Sequence, residues 1–142
     1  MTHTRIAKST ITIYAQADKV WDAITNPEFI KQYLYGAQVI TDWKEGSPIR
    51  YKGSYQGKDY EDKGSVLHVE PQKLLVITHW SPLSGTLDRP ENYHTVRYNL
   101  EFENGRTHLT ITQDNNASQE EQQQNANFWK TALKNIKRLL ES

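Results

Sequence analysis

Asn104-Gly105 is the feature that most constrains the fold, because it predicts both a turn and the register of the strands on either side. A two-residue type I′ turn needs positive φ at both central residues, and Asn-Gly tolerates this best. With Glu103 placed opposite Arg106, every residue from 95 to 114 is assigned to one of two faces of a hairpin.

The two faces of this predicted hairpin differ sharply in polarity. One face is nearly all apolar and pairs Val96 with Gln113, Tyr98 with Ile111, Leu100 with Leu109 and Phe102 with Thr107. The other is polar and pairs Thr95 with Asp114, Arg97 with Thr112, Asn99 with Thr110 and Glu101 with His108. The register therefore predicts an antiparallel sheet with one buried and one solvated face.

Further turn signals extend the sheet. Between Ala37 and Asp114 they are Glu45-Gly46, Gln56-Gly57 and Glu70-Pro71, which indicates an antiparallel meander. The Gln56-Gly57 turn directs inward the pairs Ile49 with Gly64, Tyr51 with Asp62 and Gly53 with Tyr60. It directs outward Arg50, Lys52, Glu61 and Lys63.

Helices flank the strands on both sides of the chain. A first strand from about Arg5 to Tyr14 precedes a helix capped by Asp18, and Asn26-Pro27 ends that helix and begins a second, which Gly36 closes. A capping box from Ser118 to Glu121 begins a last helix that runs to Leu140. Its first half offers only Ala126 as an apolar residue and is expected to face water or polar groups, whereas its second half is amphipathic.

Charge and composition exclude several classes of function. Lysine plus arginine equal aspartate plus glutamate at 17 each, so no basic field favours nucleic acid as a partner. No apolar run reaches the roughly 18 residues of a membrane span, and cysteine is absent, which rules out disulfides and thiol chemistry. Met1 to Thr10 has no apolar signal core, and the 142 residues suit one cytoplasmic domain, 1–142.

Motifs for metal, cofactor or nucleophile are also absent from the sequence. The five histidines show no ligand spacing, and no Gly-rich phosphate loop, nucleophile elbow or GxGxxG follows a strand. We therefore predict no metal and no cofactor, and assign no catalytic residue.

Three assignments remain open from the residues alone. Gln113, inward by register, either makes a polar contact inside or is exposed at the end of the sheet. Asp62 needs a partner if it is buried, and Tyr51 across the strand offers a hydroxyl, unless a bulge turns the carboxylate to solvent. The segment from Leu74 to Trp80 is apolar on both faces, so periodicity permits either of two linings. They are Val76, Thr78 and Trp80, or Leu75, Ile77 and His79.

Four segments carry a family resemblance: KVWDAITNPE from Lys19 to Glu28, GSVLHVEP from Gly64 to Pro71, Trp80, and Phe128-Trp129 followed by Leu133. They resemble the heat-shock protein 90 ATPase-activator homologue family, a branch of the START-like or polyketide cyclase (SRPBCC) superfamily. The resemblance covers essentially the whole chain. It implies an α+β helix-grip fold, in which a curved antiparallel sheet of about seven strands surrounds the C-terminal helix.

Two departures from the family pattern are visible. Tyr33 stands where a tryptophan is often found, and Phe128 stands where a glycine usually precedes the helix tryptophan. Both are expected to reshape the space between the sheet and the last helix. Co-chaperone activity belongs to relatives with an additional domain and does not carry over.

The resemblance implies an elongated cavity between the sheet and the last helix, which relatives use for hydrophobic ligands. It also favours Trp80 over His79 as a lining residue. Strand parity, helix phase and resemblance together assign the ligand-binding wall to Tyr51, Tyr60, Asp62, Trp80, Tyr98, Gln113, Phe128 and Trp129. The connection from Ser81 to Tyr93 is either a lid over this cavity or a mobile loop.

Three functions compete at this point. The leading hypothesis is a monomer or weak homodimer that binds a small hydrophobic or amphipathic molecule. The second is a cyclase- or hydrolase-like enzyme that uses Asp62, Tyr51 and Tyr60 for acid and base chemistry. The third is a protein-interaction or stress-related module, which requires an exposed apolar patch.

Overall fold

The computed structural model describes residues 3–141. Met1, Thr2 and Ser142, at the ends of the predicted domain 1–142, lie outside the described residues. The elements in chain order are β1 (Arg5–Ile13), α1 (Ala17–Thr25), α2 (Pro27–Tyr33), β2 (Gln38–Ile40), β3 (Pro48–Tyr55), β4 (Lys58–Glu70), β5 (Leu74–His79), β6 (His94–Glu103), β7 (Arg106–Asn116) and α3 (Gln119–Glu141). Two short 3₁₀ turns, Pro82–Ser84 and Pro90–Asn92, lie between β5 and β6.

The strands form one antiparallel sheet in the order β1-β7-β6-β5-β4-β3-β2. The sheet is curved, and together with the long helix α3 it makes the α+β helix-grip fold. The predicted fold class is therefore confirmed. No helix within residues 3–141 has the length and apolar character that a membrane crossing requires.

Both hairpin registers agree with the sequence predictions. Glu103 pairs with Arg106 and the pairing continues to Val96 with Gln113, while Tyr51 pairs with Asp62 in the other hairpin. Asn104 and Gly105 have φ of +51° and +79°, the left-handed region that the turn requires. The predicted pairing of Thr95 with Asp114 is made through a side chain and not through the backbone ladder. The Asp114 carboxylate accepts a hydrogen bond from the Thr95 backbone N–H.

The helix starts were predicted with one error. The N-cap of α1 is Gln16, so the prediction that Asp18 caps this helix is wrong. Asp18 lies in the first turn, where a carboxylate still interacts favourably with the helix dipole. Asn26 caps α2 as expected, since its side chain accepts from the Glu28 backbone N–H at 3.0 Å.

The two halves of α3 contact the sheet in different ways. Ser118 Oγ accepts from the Glu121 N–H at 3.1 Å, which confirms the predicted start. The first half makes polar contacts, with Ser9 Oγ donating to the Ala126 carbonyl and Gln122 Nε2 donating to the Ile6 carbonyl, both at 2.8 Å. The second half buries its apolar side in the core through Trp129, Ala132, Leu133 and Ile136.

Candidate functional site

A cavity of about 860 Å³ lies between the concave face of the sheet and the middle of α3. Its deep part is lined by Ile77, Val96, Tyr98, Gln113 and Trp129. Its mouth is lined by Leu34, Tyr35, Tyr55, Leu83 and Phe128. Both the volume and the mainly aromatic and aliphatic walls are typical of small-molecule sites.

The contacts of the deep wall centre on Trp129. Its indole Nε1 donates a 2.8 Å hydrogen bond to Gln113 Oε1, and both residues are buried. The Trp129 ring also meets Tyr98 edge to face at 5.8 Å and Phe128 at 5.1 Å between ring centroids. Gln113 thus faces inward as predicted, with its amide oxygen engaged by the protein.

The hairpin of β3 and β4 supplies the opposite wall. Tyr51 is buried, and the Tyr60 ring lies over Gly53, where an added Cβ would come within 2.5 Å of the Tyr60 hydroxyl. Glycine at position 53 is therefore what allows the Tyr60 ring to approach its partner strand so closely. Farther along β4, Asp62 extends into the cavity.

Asp62 forms a pair with His79 of β5. Asp62 Oδ2 lies 2.9 Å from His79 Nε2, and the two side chains are 14% and 28% exposed. Asp62 Oδ1 is buried and has no hydrogen-bond partner among the described residues. The inward orientation of Asp62 was predicted, but the expected partner, the Tyr51 hydroxyl, is wrong, because the hydrogen bond comes from His79.

Burial keeps the inner tyrosines in their neutral form. Desolvation raises the pKa of Tyr98, and it raises the pKa of Tyr51 together with smaller contributions from Tyr98, Tyr33 and Asp62. The pKa of Tyr60 is raised by partial burial and then by the Asp62 charge. These phenols are therefore hydrogen-bond donors near neutral pH and are poor proton acceptors.

Trp80 does not line the cavity, and its predicted place in the wall is wrong. Its indole Nε1 donates to Thr86 Oγ1 at 3.0 Å, and its ring stacks on Tyr93 at 6.4 Å. Of the alternative lining, Ile77 and His79 face the cavity, whereas Leu75 is buried in the core.

A β-bulge in β4 explains why the residues of β5 with odd numbers, and not those with even numbers, face inward. The pairing of β4 with β5 shifts register between Val66 and His68, so that Val66 and Val69 both pack on the core side. The shift places Ile77 opposite Val66, and Ile77 is in turn paired with the inward-facing Val96. Residues of odd number on β5 therefore lie on the inner face of the sheet, where Ile77 and His79 reach the cavity and Leu75 packs in the core.

Seven of the eight predicted lining residues lie together around the cavity: Tyr51, Tyr60, Asp62, Tyr98, Gln113, Phe128 and Trp129. Of the two departures from the family pattern, Phe128 is in the wall. Tyr33 is not, because it is buried and its hydroxyl donates to the Ala23 carbonyl at 3.0 Å.

Sequence reasoning missed His79 and two tyrosines at the ends of elements, whereas the connection after β5 had been considered as a lid. His79 belonged to the rejected lining, while Tyr35 and Tyr55 lie where elements end and have no periodicity to reveal their direction. Of the long connection after β5, Ser81, Leu83 and Ser84 line the mouth. Farther along this connection, Asp88 forms an ion pair with Lys63 of β4.

No group of histidine and acidic residues suited to a metal ion occurs in the part of the chain that the structure describes. The chemistry available in the cavity is therefore that of aromatic faces, neutral hydroxyls and amides, and the Asp62 and His79 pair.

Comparison with known proteins identifies relatives along nearly the full chain. The sequence profile of the family described as Activator of Hsp90 ATPase homolog 1-like protein matches residues 14–141. A solution structure from Cytophaga hutchinsonii is 43% identical, with a TM-score of 0.86 over 99% of this chain and 97% of that one. A search of curated proteins gives no significant match.

Two more distant structures share the fold. The Aha1 dimer from Colwellia psychrerythraea is 19% identical with a TM-score of 0.74 over 96% of each chain. CalU16 from Micromonospora echinospora is 20% identical with a TM-score of 0.71, over 99% of this chain and 86% of its own.

Proposed function

The chain belongs to the family of Activator of Hsp90 ATPase homolog 1-like proteins, and from this premise we propose that it binds a small hydrophobic or amphipathic molecule between the sheet and α3. The observation that carries the proposal is the cavity of about 860 Å³ with its mainly apolar wall. A drug-sized ligand buries most of its surface in a cavity of this volume.

The mouth of the cavity gives independent support. Tyr35, Leu83 and Phe128 are lining residues that remain exposed, with Tyr35 at 71% and Phe128 at 39%. The rings of Tyr35 and Phe128 approach to 6.4 Å between centroids. Apolar side chains gathered at an opening mark a route by which an apolar molecule enters.

Titration with Nile red, an uncharged dye that fluoresces in apolar surroundings, tests the proposal. We expect saturable binding at about one dye per chain, because the cavity holds one molecule of drug-like size. Trp129 emission should fall as the dye binds, since its ring lines the deep wall. Native mass spectrometry of the purified protein should show a bound small molecule.

A matched pair of variants on β6 locates the dye. Val96→Phe adds a ring to the deep wall and should weaken dye binding, whereas Arg97→Phe adds the same ring to the outer face and should not. Equal dye affinity in the two variants, with both folded by circular dichroism, would place the dye outside the cavity.

One observation favours a second candidate function, a cyclase- or hydrolase-like enzyme. With Nε2–H donated to Asp62, the other imidazole nitrogen of His79 is a proton acceptor, as in a general base. The neutral tyrosines would then orient the substrate. Asp62→Asn separates the two functions, because a binding protein keeps its dye affinity whereas an enzyme loses turnover.

A further inference from the structure

We propose that the cavity selects an organic amine, whose protonated nitrogen binds at Asp62 and whose apolar body lies among the aromatic side chains. The inference rests on the proposed function, because it names the class of ligand for the same cavity. Three features of the wall support it: its charge, its unsatisfied acceptor and its rings.

The charge of the wall is the first feature. Asp62 is the one acidic residue among the described lining residues, and they include no lysine or arginine. Of the three lysines on the same two strands, Lys52 and Lys63 lie on the outer face and pair there with Glu61 and Asp88. The third, Lys58, is exposed beside the turn and is not a lining residue. With His79 as a neutral donor to Asp62, a carboxylate or phosphate ligand would therefore meet an acidic group and no lysine or arginine in the wall.

The unsatisfied acceptor is the second feature. Gln113 and Asp62 are both polar and inward, but the Gln113 amide oxygen already accepts from Trp129. Asp62 accepts only from His79 through Oδ2, and its Oδ1 has no donor. A buried acceptor without a donor leaves the carboxylate charge poorly compensated, and an ammonium group that reaches the exposed 14% of the Asp62 side chain supplies donors together with the opposite charge.

The aromatic rings are the third feature. Tyr51 is paired with Asp62 across the hairpin, and Tyr60 lies two residues before Asp62 on β4. Tyr35, Tyr55 and Phe128 surround the mouth. The faces of such rings carry negative electrostatic potential and attract organic cations. Because burial raises the pKa of Tyr51, this ring remains a neutral phenol and provides a face without adding charge.

Three ligands with one shared body test the inference by isothermal titration calorimetry. They are 2-naphthylmethylamine, 2-naphthalenemethanol and 2-naphthoate, which carry a positive, a neutral and a negative group. At pH 8 a primary alkylamine is still protonated and a carboxylic acid is ionised, so the three ligands carry the intended charges. We expect the amine to bind about tenfold more tightly than the alcohol and the carboxylate to bind most weakly.

Two isosteric variants assign the preference to one carboxylate. Asp62→Asn removes the inward charge and should bring the amine and the alcohol to within about twofold of each other. Glu61→Gln removes one negative charge at the adjacent position, which lies on the outer face of the sheet, and should leave the tenfold preference intact. Retention of the preference in a folded Asp62→Asn protein would overturn the inference.

If Asp62→Asn does not fold, titration of the three ligands into the unmodified protein still tests the inference. A carboxylate that binds as tightly as the amine overturns the inference while the proposed function stands. If all three compounds bind equally and Val96→Phe weakens all of them, the cavity is a binding site without charge selection. If none binds and Nile red does not bind either, the proposed function fails as well.

Discussion

The hairpin of β6 and β7 and the hairpin of β3 and β4 are built on the same principle but differ in what they present inward. Both have a positive-φ residue followed by glycine at the turn, and both have the register that this turn predicts. The first presents Leu100, Leu109 and Ile111 to the core. The second presents Tyr60 and Asp62, which remain partly exposed on the cavity side.

Each hairpin has an inward polar side chain at the cavity, Gln113 in the first and Asp62 in the second, and these two differ in how their hydrogen bonds are met. The Gln113 amide oxygen is satisfied by Trp129, so Gln113 fixes the helix against the sheet. Asp62 is only half satisfied by His79. A polar group whose hydrogen bond is made within the protein has a structural role, whereas one left without a partner beside a cavity calls for another explanation, and the proposed ligand supplies one.

Removing the helix that covers both hairpins should have the largest effect. A chain truncated after Asn127 loses Trp129, Leu133 and Ile136, which are worth roughly 1.5–3 kcal/mol each when buried. That sum is comparable to the net stability of a domain, so we expect no cooperative thermal transition by circular dichroism. A chain ending at Leu140 keeps this apolar surface and should still melt cooperatively.

Substitution of the two inward polar residues tests the comparison directly. Gln113→Ala leaves the buried Trp129 N–H without an acceptor and should lower the free energy of unfolding by about 1–3 kcal/mol. Asp62→Asn retains an oxygen that accepts from His79 and should change it by less than about 1 kcal/mol. Urea titrations in which Asp62→Asn is the more damaging would assign the structural role to Asp62 instead.

A smaller effect is expected at the turn of the core hairpin. Gly105 has φ of +79°, so Gly105→Val forces a β-branched residue into the left-handed region at a cost of about 1–2 kcal/mol. Arg97→Ala, on the solvated face of the same hairpin, should change the unfolding free energy by no more than about 0.5 kcal/mol. A larger loss for Arg97→Ala would contradict the assignment of faces.

The sequence was sufficient wherever a tight turn connects the strands. Asn104-Gly105 and Gln56-Gly57 fix backbone geometry locally, so the faces of four strands follow from parity. The capping box likewise determined the start of α3 through the contact of Ser118 with the Glu121 N–H. These features depend only on residues close together in the chain.

The sequence was insufficient where a face depends on distant pairing. The bulge between Val66 and His68 changes which residues of β5 face inward, and no glycine or proline at those positions indicates it. The connection from β5 to β6 spans residues 80–93, so no turn type fixes the register from the other side. His79 was therefore missed as the partner of Asp62, although it was one of the two alternatives.

The smallest expected effect is at Trp80, whose substitution tests that correction. Trp80→Phe should leave the affinity for Nile red within about twofold, because its ring stacks on Tyr93 outside the cavity. The fall in tryptophan emission on dye binding should persist in Trp80→Phe and be largely lost in Trp129→Phe, whose ring lines the deep wall. Trp21 and Trp43 give the same background in both variants, since neither is a lining residue. If the emission change is lost in Trp80→Phe but kept in Trp129→Phe, Trp80 lies in the cavity. The residues of β5 with even numbers would then face inward.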